Sequence, residues 1–143
     1  MMKKPLLMCF LFLTLILGAC GGGSLEGETV SITGALIGED QNGFRENIKA
    51  IEEATGIIVT YQGSDNFEQE IQIQMESGDT PDFALFPQPG GVVDAANRGY
   101  LTPLADLDID LEEYQNNFSS YLVGLGTVDG VIYGGANAAN LKS

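Results

Sequence analysis

The chain has 143 residues, 44% of them hydrophobic, with 20 acidic against six basic side chains and a formal net charge of −14. It contains no histidine, which excludes Ser-His-Asp triads, histidine metal sites and imidazole general bases. So acidic a surface repels phosphate backbones and anionic headgroups, which argues against nucleic-acid binding and against electrostatic attachment to a membrane.

Met1-Met2-Lys3-Lys4 is a positive start, Pro5 to Leu17 is an apolar run of 13 residues, and Leu17-Gly18-Ala19-Cys20 closes it with small residues. A membrane-spanning helix needs about 20 apolar residues, so this run reads as a secretory signal that is removed. Leu17-Gly18-Ala19-Cys20 also resembles a bacterial lipobox. That resemblance implies cleavage after residue 19 and acylation of Cys20, with palmitate among the acyl chains, and Gly21-Gly22-Gly23-Ser24 then serves as a flexible tether. Several acyl chains hold a protein stably at a membrane, because each buried CH₂ contributes roughly 0.8 kcal/mol. Cys9 leaves with the signal and Cys20 carries lipid, so no cysteine remains for a disulfide, a thiolate metal site or a thiol nucleophile. Removal of residues 1–19 leaves 124 residues, room for one domain. Lys3 and Lys4 go with the signal, so four of the six basic residues remain against 20 acidic ones, a net charge of −16.

Val30 to Leu36 predicts a first strand that ends in a polar loop, Gly38 to Gly43. Phe44, Ile48, Ile51 and Ala54 then recur at spacings of four, three and three, with Arg45, Glu46, Lys49, Glu52 and Glu53 opposite. This pattern predicts an amphipathic helix stopped by a left-handed cap at Gly56. The β-branched run from Ile57 to Tyr61 predicts a second strand leading into Gly63-Ser64-Asp65-Asn66, and Asp65 with Glu68 has the spacing of a capping box. Ile71-Gln72-Ile73-Gln74-Met75 alternates as a strand would, yet Phe67, Ile71 and Met75 also share a helical face between that cap and Gly78. Helix is the reading adopted.

Asp82 to Phe86 is an apolar run between turn formers, too short for a helix, and predicts a third strand buried on both faces that opens into the loop Pro87 to Gly91. Val92 to Arg98 predicts a short helix capped by Gly99, and Tyr100 to Leu104 an extended segment. Leu111 to Val123 predicts a further helix with Tyr114, Phe118, Tyr121 and Leu122 inward, followed by a short strand at Val131-Ile132-Tyr133. Strands alternating with helices imply an α/β fold, a parallel sheet with right-handed crossovers and helices on both faces. The loops 38–43, 63–66 and 87–91 then lie along the edge where such sheets bind ligands.

Enzymatic chemistry finds little support. There is no GxxxxGK[ST] phosphate loop, and Gly124, Gly126 and Gly130 do not follow a strand in a GxGxxG pattern. The carboxylate pairs Glu39-Asp40, Glu52-Glu53 and Glu112-Glu113 are adjacent in sequence, whereas glycoside hydrolysis needs two carboxyl groups facing one bond. The chain therefore reads as a binding protein with no cofactor, no metal and no catalytic residue. A neutral solute such as a sugar is held by planar amides and carboxylates over an apolar or aromatic platform. Glu39, Asp40, Asn42, Asp65, Asn66 and Gln88 offer the first, and Phe86 or Tyr133 the second. Each has a structural alternative: Asn42 and Asp65 as helix caps, Phe86 as core, Glu39 and Asp40 as a solvated turn.

In order along the chain, "VSITGALIGEDQNGFRENIKAIEEATGIIVTYQG", "MESGDTPDFALFPQPGGVVDAANRGYLTPL" and "DGVIYGGANAANLKS" resemble the extracellular solute-binding lipoproteins of ABC importers, in the carbohydrate-binding group related to maltose-binding protein. The resemblance covers essentially the whole chain beyond the signal. It implies a type II periplasmic-binding-protein fold of two lobes, carbohydrate held between them, and presentation of the loaded receptor to permease subunits in the membrane. It further implies location in the cell envelope, lipid-anchored on the outer face of the cytoplasmic membrane or in the periplasm. The ligand-facing positions it implies are Glu39, Asp40, Asp65, Asn66, Pro87, Gln88, Asn137 and Asn140. On that resemblance residues 29–143 are expected to be an incomplete N-terminal lobe without the second lobe, with 20–28 as the acylated cysteine and tether. Two other readings stay open: an adhesin or co-receptor lobe for a membrane signalling protein, and a truncated, inactive remnant.

Overall fold

The β-branched residues Val30, Ile32 and Thr33 form strand β1, Thr29–Gly34, in the computed structural model, which describes residues 25–136. β1 is the middle strand of a parallel three-stranded sheet of order β2-β1-β3, with β2 at Ile58–Gly63 and β3 at Phe83–Leu85. Ile32 lies between Tyr61 and Phe83, and Thr33 between Gln62 and Ala84. Parallel neighbours require long crossovers, and each crossover here holds a helix: α1 at Gly38–Thr55 and α2 at Phe67–Ser77.

The two helices lie on opposite faces of the sheet. Successive strand residues point to alternate faces, so Ile32 and Tyr61 share one face, where Phe44 of α1 packs edge-on against the Tyr61 ring at 4.9 Å. Thr33, Ala35, Ala84 and Phe86 belong to the other. There Ala35, Ala84 and Phe86 pack on the core cluster of Phe67, Ile71 and Met75 from α2 and Ala95 from α3, Pro89–Asn97. Phe67 is 1% exposed and meets Phe86 edge-to-face at 5.4 Å. The α/β architecture with helices on both faces is therefore the observed one.

Several local readings need correction. The predicted loop Gly38 to Gly43 is the start of α1, where Glu39 and Asp40 in the first turn complement the helix dipole. Glycine inside a helix costs about 1 kcal/mol relative to alanine, and packing on the sheet overrides that local preference at Gly43. Ile51, predicted inward, is 51% exposed. The face turned to the sheet runs through Phe44, Ile48 and Glu52, whose carboxylate accepts the Val59 N–H at 2.7 Å. The helical reading of residues 67–77 holds: Ile71 and Met75 are buried and Ile73 is 64% exposed. The capping box does not form. The Asn66 N–H donates to the Ser64 hydroxyl, which in turn donates to Glu70.

Pro89 has the fixed φ that suits a first helical position, so α3 starts there and the predicted loop Pro87 to Gly91 shrinks to Phe86–Gln88. The helix expected over 111–123 is two short ones, α4 at Leu111–Asn117 and α5 at Ser120–Leu125, because Ser119 caps the second through its hydroxyl. Tyr121, predicted inward, is 73% exposed. The last predicted strand forms a small antiparallel hairpin, β4 at Thr127–Val128 with β5 at Val131–Ile132, and does not join the main sheet. Asp129 and Gly130 at its tip both have positive φ, the geometry of the tight turn that matches strand twist. β3, expected to be buried on both faces, is an edge strand of the described sheet.

The β1–β3 ladder opens with a side chain standing in for backbone. Asp82 Oδ2 accepts the Ser31 N–H at 2.8 Å and the Ser31 hydroxyl at 2.7 Å, and the Asp82 N–H donates back to that hydroxyl at 3.0 Å. These donors hold the Asp82 carboxyl below the ordinary value of 3.8. A carboxyl with a depressed folded-state pKa stabilises fully above its unfolded value and loses that contribution as pH falls through the folded one. Asp82→Asn is therefore expected to lower the thermal midpoint at pH 7, and the gap from the parent should close as the pH falls below the ordinary value of 3.8 and through the lowered folded-state one. Scanning calorimetry of both proteins across that range checks it.

Candidate functional site

The chain leaves β1 toward β2 on one side and returns from β2 to β3 on the other. In open α/β sheets of this winding, ligands bind outside the carboxyl ends of the strands at the point where the order reverses. A crevice of about 350 Å³ lies there, within the range of small-molecule sites. Each strand exit contributes to its wall: Ala35 after β1, Asp65 and Asn66 after β2, and Pro87 after β3. The first turn of α2 closes it with Phe67, Glu68 and Gln69.

Of the eight ligand-facing positions expected from sequence, the fold brings Asp65, Asn66 and Pro87 together in this crevice. Glu39 and Asp40 stand exposed in the first turn of α1, outside its lining, and Gln88 is exposed one residue beyond Pro87, immediately before α3. Asn137 and Asn140 lie outside the described residues. Phe86, considered as an aromatic platform, belongs to the core cluster against Phe67, and Tyr133 lies on a different cavity. Ala35, Phe67, Glu68 and Gln69 were not singled out by sequence reasoning. Their signal was positional: once α2 starts at Phe67, its first turn has to face the strand exits.

Asp65 and Asn66 are exposed, and no side chain among the described residues hydrogen-bonds to theirs. They combine a carboxylate acceptor with an amide that both donates and accepts, and Gln69 adds a second amide. The charged groups of the lining are Asp65 and Glu68. The described cations are engaged elsewhere: Arg45 donates to the Tyr61 carbonyl, Lys49 pairs with Glu46, and Arg98 pairs with Glu76 while lying over the Tyr100 ring. The arrangement offers hydrogen bonds without a compensating positive charge, which suits an uncharged polyhydroxylated solute better than an anion.

A larger trough of about 540 Å³ runs beside β3 and is walled by apolar side chains including Met75, Phe83, Leu104 and Tyr133. Phe83 is 55% exposed there. An edge strand beside apolar walls presents unpaired main-chain groups that suit a further strand, and the one carboxylate of the lining, Asp82, is already engaged by Ser31.

A sequence model of the family described as bacterial extracellular solute-binding protein matches residues 34–141. The osmoprotective compounds-binding protein GgtB of Synechocystis sp. is 37% identical over 133 residues, which are 90% of this chain and 31% of that protein. The alpha-glucosides-binding periplasmic protein AglE of Rhizobium meliloti is 38% identical over 119 residues, 83% of this chain and 25% of that protein. The chain thus spans between a quarter and a third of the length of these relatives. A solved ABC transporter solute-binding protein of Thermotoga lettingae, bound with alpha-D-tagatose, superposes with a TM-score of 0.59 and 26% identity, over 74% of this chain and 28% of that one.

The wall after β1 leaves no room for a side chain at position 63, the last of β2. A Cβ at Gly63 would collide with the Leu36 carbonyl oxygen and crowd Gln41 and the Tyr61 ring. Overpacking costs typically 1–3 kcal/mol, so Gly63→Ala should lower stability by about that much in a urea titration, because the obstructing atom is backbone. An unchanged midpoint would mean that the loop is free to shift.

Proposed function

Because the chain belongs to the bacterial extracellular solute-binding protein family, we propose that it carries part of the binding site of a carbohydrate receptor serving an ABC importer. The observation that supports this reading most is the crevice at the β1–β3 switch point, where Asp65 and Asn66 present free hydrogen-bonding groups beside Ala35 and Pro87. Sugars are held by such planar groups against small apolar surfaces. The uncompensated acidity of the lining favours an uncharged saccharide.

In this reading Glu39, Asp40 and Gln88 reach the solute from outside the crevice lining, Asn137 and Asn140 belong to the same ligand-facing set by the resemblance, and a second lobe closes over the solute as in the two-lobed fold the resemblance implies. Permease subunits in the membrane are the partner of the loaded receptor. Residues 1–19 act as the signal, Cys20 takes the lipid, and the tether to residue 28 holds the domain in the cell envelope. The protein is a receptor and not an enzyme, in keeping with a family of solute-binding proteins.

Names of relatives define the panel that tests this. One is named for alpha-glucosides and another for osmoprotective compounds, so maltose, maltotriose, sucrose and trehalose are set beside compatible solutes. A ligand that binds only the folded state stabilises it by about 2.7 kcal/mol at 100 times its Kd. One saccharide class is expected to raise the thermal midpoint in proportion to the logarithm of its concentration, and Asn66→Ala should abolish the rise. A shift produced by compatible solutes alone would reassign the ligand, and no shift with any member would contradict the reading.

A further inference from the structure

Tyr61 is on β2, the strand farthest from the β1–β3 switch point, and its side chain is buried. Its hydroxyl reaches across the carboxyl end of β1 to the main chain of Leu36. There it accepts the Leu36 N–H at 3.0 Å and donates to the Leu36 carbonyl at 3.0 Å. Both polar groups of one loop residue are thus satisfied by a single phenol. The ring is seated by the edge-on Phe44 at 4.9 Å, and Arg45 holds the Tyr61 carbonyl at 3.0 Å. Two glycines make room for it: a Cβ on Gly34 would stand 2.8 Å from the Tyr61 hydroxyl, and one on Gly63 would meet the ring and the Leu36 carbonyl. Leu36 follows Ala35, which lines the crevice, and precedes the start of α1.

We propose that Tyr61 is a positioning residue for the solute site: it fixes the Leu36 main chain and thereby the Ala35 wall, without touching solute itself. The proposal rests on the crevice being the solute site. Burial raises the Tyr61 pKa above 10, which keeps the hydroxyl a donor over the whole neutral range. A tyrosine here, in place of the aliphatic residue that would pack as well, is explained by the two bonds its oxygen makes.

The test compares the full chain with its Tyr61→Phe variant, which keeps the ring and removes the oxygen. Loss of the bond from the Leu36 N–H should speed hydrogen exchange at Leu36 by about tenfold, on the scale of one net hydrogen bond, and leave the amides of Ile71 to Met75 unchanged. Maltotriose and sucrose serve as probes in calorimetric titrations well below the unfolding midpoint, where lost stability does not move a Kd. The Kd of the probe that binds should rise by about tenfold. Ile48→Val, a core truncation away from the loop, should leave that Kd unchanged. Should Tyr61→Phe not fold, Phe44→Leu loosens the seat of the ring and is expected to raise the Kd in the same direction. Faster exchange at Leu36 with an unchanged Kd would make Tyr61 merely structural and overturn the proposal. A parent chain that binds neither probe, nor maltose nor trehalose, would instead remove the carbohydrate reading, and the positioning role with it.

Discussion

Strand β1 has to be paired on both sides, and the rest of the described fold follows from how that is met. The strand passes from half-buried at Val30 to buried at Thr33 and Gly34, and a buried backbone group without a partner costs on the order of 1–3 kcal/mol. Two parallel neighbours, β2 and β3, supply the partners. Parallel pairing forbids a hairpin, so the chain crosses back over the sheet twice, through α1 and then α2. Because β2 and β3 lie on opposite sides of β1, the two crossovers cover opposite faces.

That constraint also collects the polar groups of the site. All three strands end at the same edge, so residues far apart in sequence, Ala35, Asp65 and Pro87, become walls of one crevice. Small residues do the fitting: Gly34 and Gly63 let the chain turn away from the strand ends close to the Tyr61 ring, and Pro89 starts α3 just beyond Pro87. The edge where β1 pairs with β3 begins with the Ser31–Asp82 bonds, so the register that sets Pro87 near Ala35 is anchored at its far end by a carboxylate.

Periodicity made the alternation of strands and helices readable, and with it the α/β class and the three strand exits. Phe67, Ile71 and Met75 outweighed the period-two pattern of Ile71 to Met75 because they share a face at four-residue spacing that Gly78 closes, and the helix is observed. What local chemistry suggested less well were the boundaries. Gly38, Asn42 and Gly43 read as a loop because each disfavours helix, yet packing of Phe44 and Ile48 carried α1 through them. Glu39 and Asp40 moved with that boundary, out of the crevice lining and into a helix turn. Asp65 and Asn66 were legible as residues of the strand-exit crevice because a polar segment after a β-branched strand has few other places to be. The Tyr61 clamp was not legible, since nothing in the sequence states that a side chain on β2 returns to the loop after β1.

Where solute enters is read most directly from backbone amide NMR spectra of the chain titrated with maltotriose. Capture at the β1–β3 switch point predicts perturbations concentrated at Ala35, Asp65 to Gln69 and Gln88, with the β4–β5 hairpin and the amides of Phe83 to Leu85 unmoved. Perturbations centred on Phe83, Leu104 and Tyr133, or an unchanged spectrum at saturating sugar, would contradict it.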